Sequence, residues 1–341
     1  MFRPRKNILI SGVLAIFALA GAVAVYSGFR RGGTADASPT PELLLEVPPG
    51  APTLVYADLA AIRASTFYQQ RPDHGPIAIP DRDYADFVQS TGFDFEKDLD
   101  RVVVASWPAG LIQGQEKADT PKTIVVADGR FDRRKIQDYA ARKGKVDHQQ
   151  GREVFLFPTD NNAHWNSITF LSDRRIAIVE GPSIAPLLEH HEDRPGGDPA
   201  RERAARVAGA AVFAITRVPA IPENPAPGAA QSAQLVSLAR SVQWITLAAR
   251  PEGNNVRVSL EGDCQNATDA RQLQTTLELF RAIGQAGLQS PKTRQSMDPA
   301  VLELLETVLK SADVTASAER VRILVELTPD ILKLSGHGKG K

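Results

Sequence analysis

The run VVADGRFDRRKIQDYA, Val125–Ala140, places Asp128, Gly129 and Asp132 beside Arg133, Arg134 and Lys135. Such residues would suit phosphate or metal. A phosphate cradle needs a glycine-rich turn followed by Lys-Ser/Thr at a helix N-terminus. Here one Gly precedes the charges and no such pair follows. A calcium loop needs oxygen ligands at alternating positions and a distal Glu, and Phe131 interrupts that pattern. A strand turning into a helix accounts for each residue. Ile124–Val126 is the strand, Gly129 eases the backbone at its end, Asp132 is the helix N-cap, and Ile136, Tyr139 and Ala140 form an apolar stripe.

Other clusters are weaker. In LEHHED, Leu188–Asp193, His190 and His191 are adjacent, so on a helix they diverge. A convergent metal pair needs i, i+4 spacing. DRDYADF, Asp81–Phe87, offers carboxylates that fit a helix start, with Asp81 and Asp83 favoured by the dipole. TDNNAHWN, Thr159–Asn166, is a polar hairpin loop whose Trp165 either stacks on a ligand or caps a core edge. Cys264 is the single cysteine, which excludes an intramolecular disulfide and a cysteine zinc site. A buried side chain at a strand end is its expected role. No G-x-S-x-G elbow or dinucleotide fingerprint is present. The sequence nominates no catalytic, cofactor-binding or metal residue.

The elements around these residues repeat. VVVASWPAG (Val102–Gly110) echoes ITLAARPEG (Ile245–Gly253), and LVYADL (Leu54–Leu59) echoes AVFAIT (Ala211–Thr216). IVVADGRF (Ile124–Phe131) echoes VRVSLEGDC (Val256–Cys264), setting Gly129 against Gly262. RIAIVEGPSIAPLL (Arg175–Leu188) echoes RILVELTPDILKL (Arg322–Leu334), in the same order. Each unit reads strand, helix, two strands, helix, then closing strands and a helix.

The expected strands are 53–59, 101–107, 123–131, 154–157, 167–171 and 175–179, then 210–217, 242–250, 255–261, 314–317 and 321–327. The expected helices are 84–91, 132–143, 233–240, 268–287 and 299–311. Closely linked strand pairs favour hairpins over a parallel sheet. The fold class is therefore α+β: two similar repeated units, each an antiparallel-rich sheet backed by helices on one face, plus an N-terminal transmembrane helix. The first unit spans 53–192, an inter-unit loop 193–209, the second unit 210–334 and a disordered basic tail 335–341. Pro219–Gly228 is a second long loop.

Ile8–Tyr26 holds 19 residues without charge or Pro, preceded by Arg3, Arg5 and Lys6. That length is at the short end of a bilayer span, and the leading positive charge favours a cytoplasmic N-terminus. Residues 1–29 therefore read as a cytoplasmic stub and signal-anchor helix, the membrane contact being Ile8–Tyr26. Ala22-Val23-Ala24 and Ala35-Asp36-Ala37 keep a cleaved signal peptide as the alternative. Either way the body is exported, to the periplasm or the extracellular side of an inner membrane. Residues 30–52, rich in Gly, Pro, Ser and Thr, read as a flexible linker.

Lys+Arg and Asp+Glu are both 40, so net charge is zero. A neutral chain lacks the basic field of a nucleic-acid binder.

With its linker, its G-x-F-D-x-x-K phrase in GRFDRRKI (Gly129–Ile136) and the strand-turn RIAIVEGP (Arg175–Pro182), the chain resembles uncharacterised bacterial envelope proteins. These have one N-terminal span and an exported α+β body. The resemblance implies location and architecture but no activity and no site. The expected function is a non-catalytic binding or structural module of the cell envelope, with an envelope protein as partner and no cofactor. The alternatives are an envelope-polymer hydrolase using paired carboxylates and a small-ligand or lipid carrier.

Overall fold

The computed structural model describes residues 41–69, 82–107, 123–159, 164–188, 197–218 and 240–329. In the first half of the chain the strands are β1 (Thr53–Asp58), β2 (Leu99–Ser106), β3 (Thr123–Gly129), β4 (Lys145–Gln149), β5 (Arg152–Thr159), β6 (His164–Ser172) and β7 (Arg175–Glu180). In the second they are β8 (Val212–Arg217), β9 (Val242–Glu252), β10 (Asn255–Cys264), β11 (Asp313–Ser317) and β12 (Arg320–Leu327). They form one sheet in the order β11-β12-β10-β9-β8-β1-β2-β3-β7-β6-β5-β4. Every neighbouring pair is antiparallel. The mixed α+β class with an antiparallel sheet is thus present, and the sheet runs unbroken through the β1–β8 pair.

The helices are α1 (Leu59–Ala64), α2 (Thr66–Gln69), α3 (Arg82–Thr91), α4 (Phe95–Asp98), α5 (Arg133–Lys143), α6 (Ala185–Leu188), α7 (Pro199–Arg206), α8 (Ala267–Leu288), α9 (Pro291–Ser296) and α10 (Pro299–Ser311). Helices α1, α2 and α5 cover one face of the first half, here called the front. Ile62, Phe67, Ile136 and Tyr139 pack there on Ala57, Val102, Val104 and Val125. Shorter elements cover the back. Leu43 and Leu44 of a 3-10 turn, Ile184 and Ala204 pack on Leu54, Tyr56, Val103 and Val126. Burial on both faces explains why β3 reads TIVVADG rather than alternating, for each of its residues is buried. Both outermost strands, β4 and β11, are short and largely polar, which blunts the exposed sheet edges.

The second half is built differently. Strand β10 alternates, Val256, Val258, Leu260 and Gly262 facing front and Arg257, Ser259, Glu261 and Asp263 facing back. Helices α8 and α10 form a hairpin on the front, with Ala270 and Leu273 packed on Val314 and Val321.

Several expectations shift. Leu43 and Leu44 are fully buried, so residues 42–46 belong to the body rather than to a linker. Helix α7 occupies part of the expected inter-unit loop 193–209. The Asp198 carboxylate accepts from the Ala200 and Arg201 N–H groups and Pro199 sits in the first turn, both helix-start signals. Helices lie on both faces, because both faces of the central strands are apolar. Gly129 is required by close approach: a Cβ there would stand 2.5 Å from the Asp98 carbonyl oxygen. Asp132 caps α5 as expected, its carboxylate accepting from the Lys135 N–H at 3.1 Å. The Ile8–Tyr26 span, the 233–239 helix, His190, His191 and the tail lie outside the described residues. Among the described residues no helix is long and apolar enough to cross a membrane.

Candidate functional site

Antiparallel register builds two charged rows on the back face. In the first half Asp58, Arg101, Asp128 and Arg175 stand directly opposite one another on β1, β2, β3 and β7. Arg101 Nη2 donates to Asp128 Oδ2 at 2.7 Å, and Arg175 Nε donates to Asp128 Oδ1 at 2.7 Å. Arg175 Nη1 also reaches Glu46 at 2.6 Å. One strand end away, Arg63 and Arg174 share Asp100 at 2.7 and 2.8 Å. The Asp128 hydrogen bond, followed by its charge and then Glu46, holds the Arg175 proton more tightly than usual. Burial raises the Asp58 carboxyl above its ordinary value, against the Ala61 N–H bond and nearby arginines that pull it down. Burial, then the Asp58 charge, pushes the Tyr56 phenol up. Asp128 is locked at both oxygens by guanidinium groups, so it is a structural anion rather than a free base.

The second-half row has a different balance. Trp244, Asp263 and Arg320 are in register on β9, β10 and β12, and Thr246, Glu261 and Arg322 form the rung beside them. Helix α7 lowers Arg203 and Arg206 onto this grid. Arg203 Nε lies 2.5 Å from Asp263 Oδ2, and its guanidinium stacks 4.5 Å from the Trp244 ring centre. Arg206 Nη2 donates to both Asp263 oxygens at 3.1 and 2.9 Å. Arg320 Nε donates to Asp263 at 3.3 Å, while Arg322 Nε is 3.6 Å from Glu261. Four guanidinium groups thus surround two carboxylates. Glu261 Oε2 and Thr246 Oγ1 are buried without a hydrogen-bond partner. Burial pulls the Arg203 guanidinium below its usual value, only partly offset by Asp263. Desolvation at Asp263 is outweighed by Arg206 and Arg203, leaving its carboxyl below the ordinary range.

The front of the second half is the other distinctive surface. Leu279, Phe280 and Ile283 of α8 and Val301 of α10 are each 38–57 % exposed. Their i, i+1, i+4 spacing sets the α8 residues on one stripe. Beside it a groove of about 500 Å³ lies between α8 and α10, lined by Ala282, Gln285, Ala286, Glu306 and Lys310. Leu260 and Ile245 on the sheet front are also exposed. In the first half, by contrast, the front-face helix residues Ile62, Phe67, Ile136 and Tyr139 are buried.

Among the described residues, those singled out in the sequence do not converge. Cys264 is buried at the end of β10, and burial pushes its thiol up to about 11. Trp165 lies in β6 beneath the Lys145 ammonium, 5.0 Å from the ring centre. Asp83 falls in the first turn of α3 and Asp81 outside the described residues. Among the described residues no group of His, Cys, Asp and Glu is arranged to hold a metal ion. The charged rows were not visible in the sequence because Asp128 draws partners from 27 and 47 residues away.

No family model and no curated protein matches the sequence. Solved structures of TP0453 are similar to this chain only at low identity and low TM-score. Crystal form III is 12 % identical, with a TM-score of 0.45 over 86 % of this chain and 96 % of that one. Crystal form IV is 12 % identical, with a TM-score of 0.43 over 89 % and 99 %.

Proposed function

We propose that this protein is a membrane-anchored, exported, non-catalytic binding module of the cell envelope, whose second half carries the docking surface for another envelope protein. The observation that carries the proposal is the exposed stripe Leu279, Phe280, Ile283 on α8, in a hairpin that also exposes Val301 of α10. A stripe of aliphatic and aromatic groups next to a groove suits a partner helix. The hairpin 267–311 holds five basic and five acidic residues. That neutrality favours a protein over an anionic bilayer surface, which recruits helices rich in Lys and Arg. Anchoring rests on Ile8–Tyr26 and its leading basic residues.

We also infer that the two halves are copies of one unit. Outward from the centre the strands run β1-β2-β3-β7-β6 on one side and β8-β9-β10-β12-β11 on the other. Tyr56 and Phe213, matched in the LVYADL and AVFAIT echo, pair on the central strands and stack at 5.2 Å. Asp128–Arg175 and Glu261–Arg322, matched through the Gly129/Gly262 and Arg175/Arg322 echoes, are in register in both halves. The Pro108/Pro251 echo sits two residues out of step with this ladder, which sets Thr246 where the first half has Arg101.

The docking proposal is tested by the double change Leu279→Asp, Ile283→Asp in the full chain. Native gels of gently solubilised membranes should lose a high-mass complex while the protein's level and melting temperature hold. Wild-type protein that migrates only as a monomer at native abundance would overturn the proposal.

A further inference from the structure

The back-face arginine cluster is independent of the docking surface, being on the opposite face of the sheet. Around Asp263 and Glu261 stand Arg203, Arg206, Arg320 and Arg322. Two positive charges are therefore in excess. The first half has no such excess, because Arg63, Arg101, Arg174 and Arg175 meet Asp100, Asp128 and Glu46 with Asp58 in the same row. The nearby acids Glu202 and Glu319 are exposed and make no ion pair with the cluster among the described residues.

The excess is positioned for a ligand. Arg203, 14 % exposed, is fixed between the Asp263 carboxylate and the Trp244 ring. Arg320 and Arg322 approach their carboxylates through Nε, and among the described residues the two Nη groups of each make no hydrogen bond. Arg217 stands on the same rung as Trp244 and is exposed. Planar guanidinium forks with free donors match the geometry of phosphate oxygens, and a terminal phosphate monoester carries close to the two negative charges required.

We propose that the cluster formed by Arg203, Arg206, Arg320 and Arg322 over Trp244 binds a terminal phosphate group. The group is supplied either by a small soluble molecule or by a monoester lipid headgroup. Asp263 serves as the pillar that orders the arginines, and Arg320 and Arg322 supply the free donors.

The test uses the detergent-solubilised full chain, with thermal unfolding followed in inorganic phosphate against chloride at matched ionic strength. A parallel arm compares nanodiscs of phosphatidylcholine with and without phosphatidic acid. Phosphate should raise the melting temperature in a saturable manner. Arg320→Ala and Arg322→Ala, both on exposed side chains, should weaken apparent affinity about tenfold or more each, the loss of a charge-assisted hydrogen bond. Their melting temperatures in chloride should stay near wild type, and Arg320→Lys should recover part of the affinity. Stabilisation by free phosphate points to a soluble ligand, and stabilisation by phosphatidic acid alone points to a headgroup. No saturable response in either arm, or responses equal in wild type and both alanine variants, would overturn the site while leaving the docking proposal intact.

Discussion

On β3, Asp128 is held by Arg101 and Arg175, each at 2.7 Å. On β10, Glu261 meets Arg322 at 3.6 Å and Arg320 at 3.9 Å, with Thr246 opposite it on β9. One sheet therefore carries two kinds of surface. The first half pairs Asp100 and Asp128 of its back face with arginines and buries the large apolar side chains of α1, α2 and α5. The second half leaves guanidinium donors free on its back and apolar groups uncovered on the α8–α10 hairpin. Groups left unmatched are where binding energy remains available, which is why both the docking and the phosphate proposals fall in the second half.

The largest effect should come where the halves meet. Phe213→Ala removes a 1 % exposed ring stacked on Tyr56, and should cost about 3–5 kcal/mol in chemical denaturation of the solubilised chain. A cost below about 1 kcal/mol would mean that the halves do not share this core. Next comes the contrast between the two rungs. Asp128→Ala leaves two guanidinium groups facing each other and should cost about 3 kcal/mol. Glu261→Ala, which loses only contacts of 3.6 Å and longer and removes a buried unpartnered oxygen, should cost about 1 kcal/mol or less. Equal losses would erase the distinction drawn between the rows.

Smaller still, Leu279→Ser and Ile283→Ser should change stability by no more than about 0.5 kcal/mol, as surface changes do. Ile136→Ala in α5 should cost about 2–5 kcal/mol. A large loss at Ile283 would show that the stripe is covered within the chain. Finally, the Cys264 thiol, pushed up to about 11, stays protonated at neutral pH. Iodoacetamide should leave it unmodified at pH 7–8 until denaturant is added. Rapid labelling of the folded chain would contradict its burial.

Much of the architecture was legible in the sequence. Apolar runs and helical periodicity located most strands together with α5, α8 and α10, and Asp132 announced the start of α5. Strand β4, KVDHQ, was not legible, because a polar edge strand carries no apolar alternation. Helix α7 was hidden by the Gly and Pro around it, although Asp198-Pro199 is a helix-start signal. The charged rows were beyond reach for a different reason. Strand register sets them, and register joins residues far apart in the chain. Periodicity likewise located α10 but not the incomplete burial of its Val301, Leu304, Leu305 and Val308. Which part of an apolar stripe stays open is decided by the neighbours that the fold supplies.

The docking proposal requires that the hairpin of the second half, and not the α5 surface of the first, receives a protein partner. Site-specific photo-crosslinking in cells, from Leu279, Ile283 and Val301 against Arg134 on the exposed side of α5, tests it most directly. One shared adduct is expected from the three hairpin positions and none from Arg134. The same adducts from all four positions, or none from the hairpin, would contradict it.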